Sequence, residues 1–143
     1  MGGGRGARES RIGRDILKQQ KKDVRPVVDL AVEALKSRKG EDILVMDLRG
    51  VTDIVDYFVL CTGNSDTQVK ALADAVVEAL EQDGAGPWYV EGYEGRKWVL
   101  VDAVDVVVHI FQQSVREFYR LERLWGDARM EMIPEAAKIE EVT

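Results

Sequence analysis

The sequence predicts a single α/β (α+β) domain built on a mixed sheet of about five strands flanked by helices, and three observations carry that expectation. Apolar residues at helical spacing alternate with short β-branched runs in the order α, β, β, α, β, β, β, α. The 143-residue chain suffices for one core and is short for two. A long helical run between the second and third strands permits a parallel crossover, whereas short links around Gly95 and Ala103 favour antiparallel neighbours.

Folded structure is expected to begin near Pro26, whose fixed φ suits the first turn of a helix running to about Lys39 and stopped by Gly40. Val27, Leu30, Ala31, Ala34 and Leu35 form its apolar stripe. A strand over 43–48 follows, Gly50 marks a break, and 57–62 is a second strand. Gly63 and Asn64 turn the chain. Ser65 or Asp66 then caps a helix, since a short side-chain oxygen there accepts one of the unpaired first-turn N–H groups. Val69, Leu72, Ala73, Val76, Val77 and Leu80 make this helix the clearest element of the chain, and it ends between Gly84 and Pro87. Strands are expected at about 89–91, 97–102 and 105–111, before a last helix over about 114–125.

The net charge of −6 conceals an asymmetry that bears on partners. Residues 1–25 hold eight Lys or Arg against three acids, a net of +5, while the rest of the chain holds 12 against 23, a net of −11. An acidic body is repelled by phosphate backbones and attracted to basic proteins, which disfavours direct nucleic-acid binding by the folded part. Residues 1–25 are read as a solvated basic extension, with a minor contact to RNA open to it. Residues 26–126 form the domain. Residues 127–143, seven of them charged and with Pro134 among them, form an acidic tail expected to be loosely ordered. No apolar stretch approaches the length of a membrane span and residues 1–15 lack a signal-peptide apolar segment, so a cytoplasmic protein without membrane contact is expected. Cys61 is the only cysteine, which excludes an internal disulfide and a cysteine-based zinc site within one chain.

Several candidate sites can be weighed from the residues. Gly63-Asn64-Ser65 at a strand-to-helix junction offers N–H groups to an anion, but no Walker or GxGxxG pattern is present and Lys70 lies a turn and a half away. Helix capping accounts for these residues without a ligand. Metal-assisted nucleotidyl transfer needs closely spaced carboxylates. The segment Trp88-Tyr89-Val90-Glu91 supplies one, and the spacing of Asp102 and Asp105 suits turn chemistry. Cys61 and the sole histidine, His109, are the one possible cysteine-based nucleophile pair; both lie in apolar strands, where a buried thiol and a hydrogen-bonded strand histidine are the structural readings. Trp98 poses a different question. Its strand divides into a face with Trp98, Leu100 and Asp102 and a face with Lys97, Val99 and Val101. If Val99 and Val101 pack inward, Trp98 and Leu100 form an apolar patch rimmed by Glu91, Asp102 and Asp105; in the opposite register Trp98 is core.

An ordered set of motifs runs through the chain: Asp56-Tyr57-Phe58, Cys61-Thr62-Gly63-Asn64-Ser65, then V-E-G at 90–92, W-V-L-V-D at 98–102, D-V-V-V-H-I-F at 105–111, and a helix closing on Leu124-Trp125. Over roughly residues 26–126 this set resembles the Iojap-like ribosomal silencing factor family. The resemblance implies a nucleotidyltransferase-like fold with no enzymatic activity, cofactor or metal. It implies binding to the large ribosomal subunit through its protein number fourteen, a small basic protein on the joining face, so that the small subunit is sterically excluded and translation falls when nutrients are scarce. It also tips Trp98 toward exposure. Trp98 and Leu100 would then anchor the partner, Glu91, Asp102 and Asp105 would meet its Lys and Arg, and Tyr119, Arg116 and Arg120 would stand at the rim. A homodimer of the free protein is a further implication. The rival readings are a nucleotide-binding or nucleotidyltransferase-like enzyme, marked by magnesium-dependent nucleotide binding near Ser65, and a dimerisation scaffold without ribosome affinity.

Overall fold

The computed structural model describes residues 23–86 and 88–135, so the basic stretch 1–22 and the tail beyond 135 lie outside the described residues. Helix α1 spans Arg25–Ser37 with Pro26 in its first turn. Strands β1, Glu41–Asp47, and β2, Tyr57–Gly63, follow. Helix α2, Asp66–Asp83, opens on Ser65 and closes on Gly84, whose φ of 71° is the left-handed conformation that lets a glycine end a helix. Strands β3, Tyr89–Glu91, β4, Trp98–Asp102, and β5, Val106–Gln112, come next.

Two departures follow β5. The single last helix expected from the aromatic spacing is broken into α3, Gln113–Tyr119, and α4, Leu121–Leu124. Arg120 sits between them at φ 48°, a left-handed conformation that ends one helix before the other begins. Within the stretch expected to be loosely ordered, Arg129–Met132 forms a sixth strand, β6, paired antiparallel to β1.

The sheet order is β3-β4-β5-β2-β1-β6. Strands β2 and β5 are parallel, and the other neighbours are antiparallel. The mixed character follows from the connections: α2 carries the chain back over the sheet before β3, while the short links β3–β4 and β4–β5 reverse it. Helices α1 and α2 cover one face. There Val28, Leu35, Val59, Cys61, Leu72, Val76, Val99, Val101 and Ile110 make the main core, each fully buried. A fully buried aliphatic side chain contributes about 1.5–3 kcal/mol, so this layer is the chief source of stability. The opposite face holds a second core of Leu44, Met46, Leu48, Leu60, Phe111 and Leu121, which the short helices α3 and α4 cover only in part.

Candidate interaction face

The register of β4 settles which face Trp98 takes. Val99 and Val101 lie in the helix-covered core, and Trp98 and Leu100 therefore point to the sparsely covered face. Neither is free of the protein, however. Both are half-buried and pack against the second core. Cross-strand pairing places Trp98 opposite Phe111 and Leu100 opposite His109. The indole also lies 4.8 Å, centroid to centroid, from the ring of Tyr119 on α3. Phe118 packs edge-on to Tyr119 at 4.9 Å. The result is a row of aromatic rings running from the sheet up onto α3, with Tyr119 53% and Phe118 78% exposed. Tyr89 on β3 is 58% exposed and pairs with Asp102, which places it on the same side of the sheet. Leu100 joins the two ends of this surface.

The acidic rim is more varied than the sequence suggests. Glu91 is exposed and stands opposite Leu100. Asp102 is half-buried, and its carboxylate accepts the backbone N–H of Val104 at 2.8 Å, bracing a β-branched residue at φ 74°. It serves the β4–β5 turn. Asp105 is also half-buried, and its backbone carbonyl accepts from the N–H groups of Asp56 and Tyr57 at 2.9 and 3.1 Å. Arg116, expected at the rim, is buried instead. Its guanidinium donates to Thr62 Oγ1 at 2.9 Å and to the Asp42 carbonyl at 2.7 Å, and pairs with Glu122 at 3.1 Å. It ties α3 to β1 and β2. A buried cation bound this closely serves the fold. Arg120 remains exposed beside Tyr119. Between α3, α4 and β6 lies a cleft of about 640 Å³ lined by Arg116, Arg120, Arg123, Met130 and Met132.

His109 lies beneath Trp98. Its Nδ1 accepts the indole N–H at 3.1 Å, and its ring meets Phe58 edge to face at 4.5 Å. Burial alone lowers its pKa to about 4. Cys61 sits on the other side of the sheet, because Leu60, not Cys61, pairs with His109 across β2 and β5. Burial pushes its thiol up to about 12. A thiol held protonated on the far face from the only imidazole does not form a nucleophile pair with it.

The Gly63-Asn64-Ser65 turn is closed by capping. Ser65 Oγ accepts the Gln68 N–H at 3.1 Å, and the Gln68 side chain accepts the Asn64 N–H at 2.6 Å. The same amide donates to the Lys39 carbonyl at 3.0 Å. These bonds satisfy the Gln68 and Asn64 N–H groups at the helix start from within the chain. Among the described residues no three His, Cys, Asp or Glu side chains converge as a metal would require, and no helix is long and apolar enough to cross a membrane.

The chain matches the family model described as ribosomal silencing factor during starvation over residues 21–143. It is 42% identical over 102 residues to "Ribosomal silencing factor RsfS" of Bacillus subtilis (strain 168), covering 71% of this chain and 86% of that protein. The crystal structure of protein CV0518 from Chromobacterium violaceum superposes with a TM-score of 0.72 at 39% identity, covering 80% of this chain and 97% of that one. A more distant relative, "Mitochondrial assembly of ribosomal large subunit protein 1" of Mus musculus, is 29% identical over 101 residues, 68% of this chain and 44% of that protein. Sequence and fold agree, and the chain belongs to the ribosomal silencing factor family.

Proposed function

We propose that this protein is a non-enzymatic repressor of translation that docks on the large ribosomal subunit and blocks joining of the small one. The observation that carries the reading is the aromatic row Trp98, Tyr119 and Phe118, continued by Leu100 and Tyr89, on the side of the sheet that α3 and α4 cover only in part. Soluble domains seldom leave clustered aromatics of this kind without a partner. The charge of the body supports a basic protein as that partner, since residues outside the first 25 carry a net −11. Protein number fourteen of the large subunit is the reading the family favours, and the name of the mouse relative points to the same subunit. Glu91 supplies a free carboxylate at the rim, with Asp102 and Asp105 behind it. Occupying the joining face excludes the small subunit by volume alone, so no bond is made or broken and no cofactor or metal enters.

Titration of purified protein number fourteen tests the reading directly. Leu100→Glu places a carboxylate at the centre of the face and is expected to weaken binding at least about a hundredfold, in the range of a central interface residue, while circular dichroism and thermal unfolding stay cooperative. Wild-type affinity in a folded Leu100→Glu protein would contradict the proposed face. Magnesium-dependent nucleotide binding near Ser65 would favour the enzyme reading instead.

A further inference from the structure

We propose that His109 is a positioning residue whose function is to set the indole of Trp98 for docking; the inference rests on the proposed docking face. An indole N–H only donates, so the 3.1 Å bond from Trp98 Nε1 requires His109 Nδ1 to be deprotonated. The neutral ring then carries its hydrogen on Nε2. That atom is buried in a residue only 4% exposed and has no hydrogen-bond partner among the described residues. A buried donor without an acceptor is unfavourable, and an apolar side chain at the same place would avoid it.

The surroundings make the polar choice more pointed. His109 stands between Leu60 on β2 and Leu100 on β4, in a strand whose other residues from Val106 to Phe111 are apolar and buried. Packing alone asks for a leucine here. Among the described residues the one hydrogen bond that the imidazole makes is the one it accepts from Trp98. That bond restrains the rotation of a half-buried ring whose other aromatic neighbours, Phe111 and Tyr119, meet it in tilted apolar contacts. An anchor held in its docking rotamer loses less freedom on binding, so the complex is tighter. Burial keeps His109 neutral down to about pH 4, and the acceptor is therefore present at neutral pH.

Positioning and packing make opposite forecasts for two variants. His109→Leu removes the acceptor together with the orphan donor, so thermal stability is retained or raised while affinity for large subunits falls about three- to tenfold, the cost of ordering one freed side chain. His109→Asn keeps an acceptor at the δ position and leaves a small void, so it is less stable than His109→Leu yet binds more tightly. Affinity that follows stability through the series would overturn the proposal. The wild-type protein supplies a check that needs no variant: the Trp98 indole N–H, observed by nitrogen-15 NMR, is expected to exchange with water far more slowly than a free indole, and fast exchange would also overturn it. Trp98→Ala separates this inference from the reading beneath it. If Trp98→Ala binds as wild type, the docking face itself is wrong; if it fails while His109→Leu binds normally, only the positioning role is.

Discussion

His109 ionises near 6.5 in an unfolded chain and near 4 in this fold, because the interior disfavours the charged ring. The sign follows directly. Above pH 6.5 both states are neutral and His109 adds no pH dependence. Between 6.5 and 4 the unfolded chain takes up a proton that the folded chain refuses, so stability drops as pH falls, by about 1.4 kcal/mol per unit at most. Denaturant unfolding of wild type and His109→Leu at pH 7 and pH 4.5 measures this, and the difference is expected to shift toward the variant by about 2–3 kcal/mol. A difference independent of pH would contradict a neutral buried imidazole. The sequence singled out His109 as the sole histidine and placed it in a strand with a hydrogen-bond partner. The identity of that partner was not legible, because Trp98 is 11 residues away in sequence and meets it only through β4–β5 pairing. Arg116 was misplaced for a related reason. Its position on an amphipathic helix reads as surface, and only the sheet beneath shows that Thr62 and the Asp42 carbonyl await it.

At the scale of elements, the strongly periodic segments were legible and the irregular ones were not. Helix α2 has its stripe and both caps written in Ser65, the Val69-to-Leu80 pattern and Gly84. The break at Arg120 carries no glycine or proline to announce it. Strand β6 hides in a charged stretch, because Arg129-Met130-Glu131-Met132 alternates in a way that also fits an exposed tail. The two faces of β4 followed from its period of two, but the partial cover that α3 gives Trp98 did not. The β3–β4 turn illustrates how a backbone position shapes the proposed docking face. Gly92 has φ 76°, and a Cβ built there would collide with the carbonyl oxygen of Trp98. Gly92→Ala must therefore shift the backbone of β4. The expected cost is about 2–4 kcal/mol, with weakened large-subunit binding, since Trp98 and Leu100 move with the strand. Thermal unfolding checks it, and a loss below about 0.5 kcal/mol would show that the turn yields without strain.

For the molecule as a whole, composition and topology converge on one surface. Helices α1 and α2 cover the main core on one side of the sheet, α3 and α4 cover part of the other, and exposed aromatics lie on that second side, Tyr89 on the sheet and Tyr119 and Phe118 on α3. The mixed sheet and its flanking helices were readable from segment order, and the family was readable from motif order, but the sixth strand enlarges the sheet beyond the five expected. Family membership assigns the regulatory class, and the proposed face would supply a physical means for it. Steric exclusion makes a demanding prediction, because a bound factor must remove joined ribosomes in proportion to its occupancy of large subunits. Sedimentation of purified large and small subunits, mixed with increasing protein under joining conditions, tests that most directly, with folded Trp98→Glu run alongside. Under steric exclusion the protein travels with large subunits alone, joined particles disappear as it saturates them, and the variant does neither. Joined particles that persist with the protein bound, or a folded Trp98→Glu that silences as well as wild type, would contradict it.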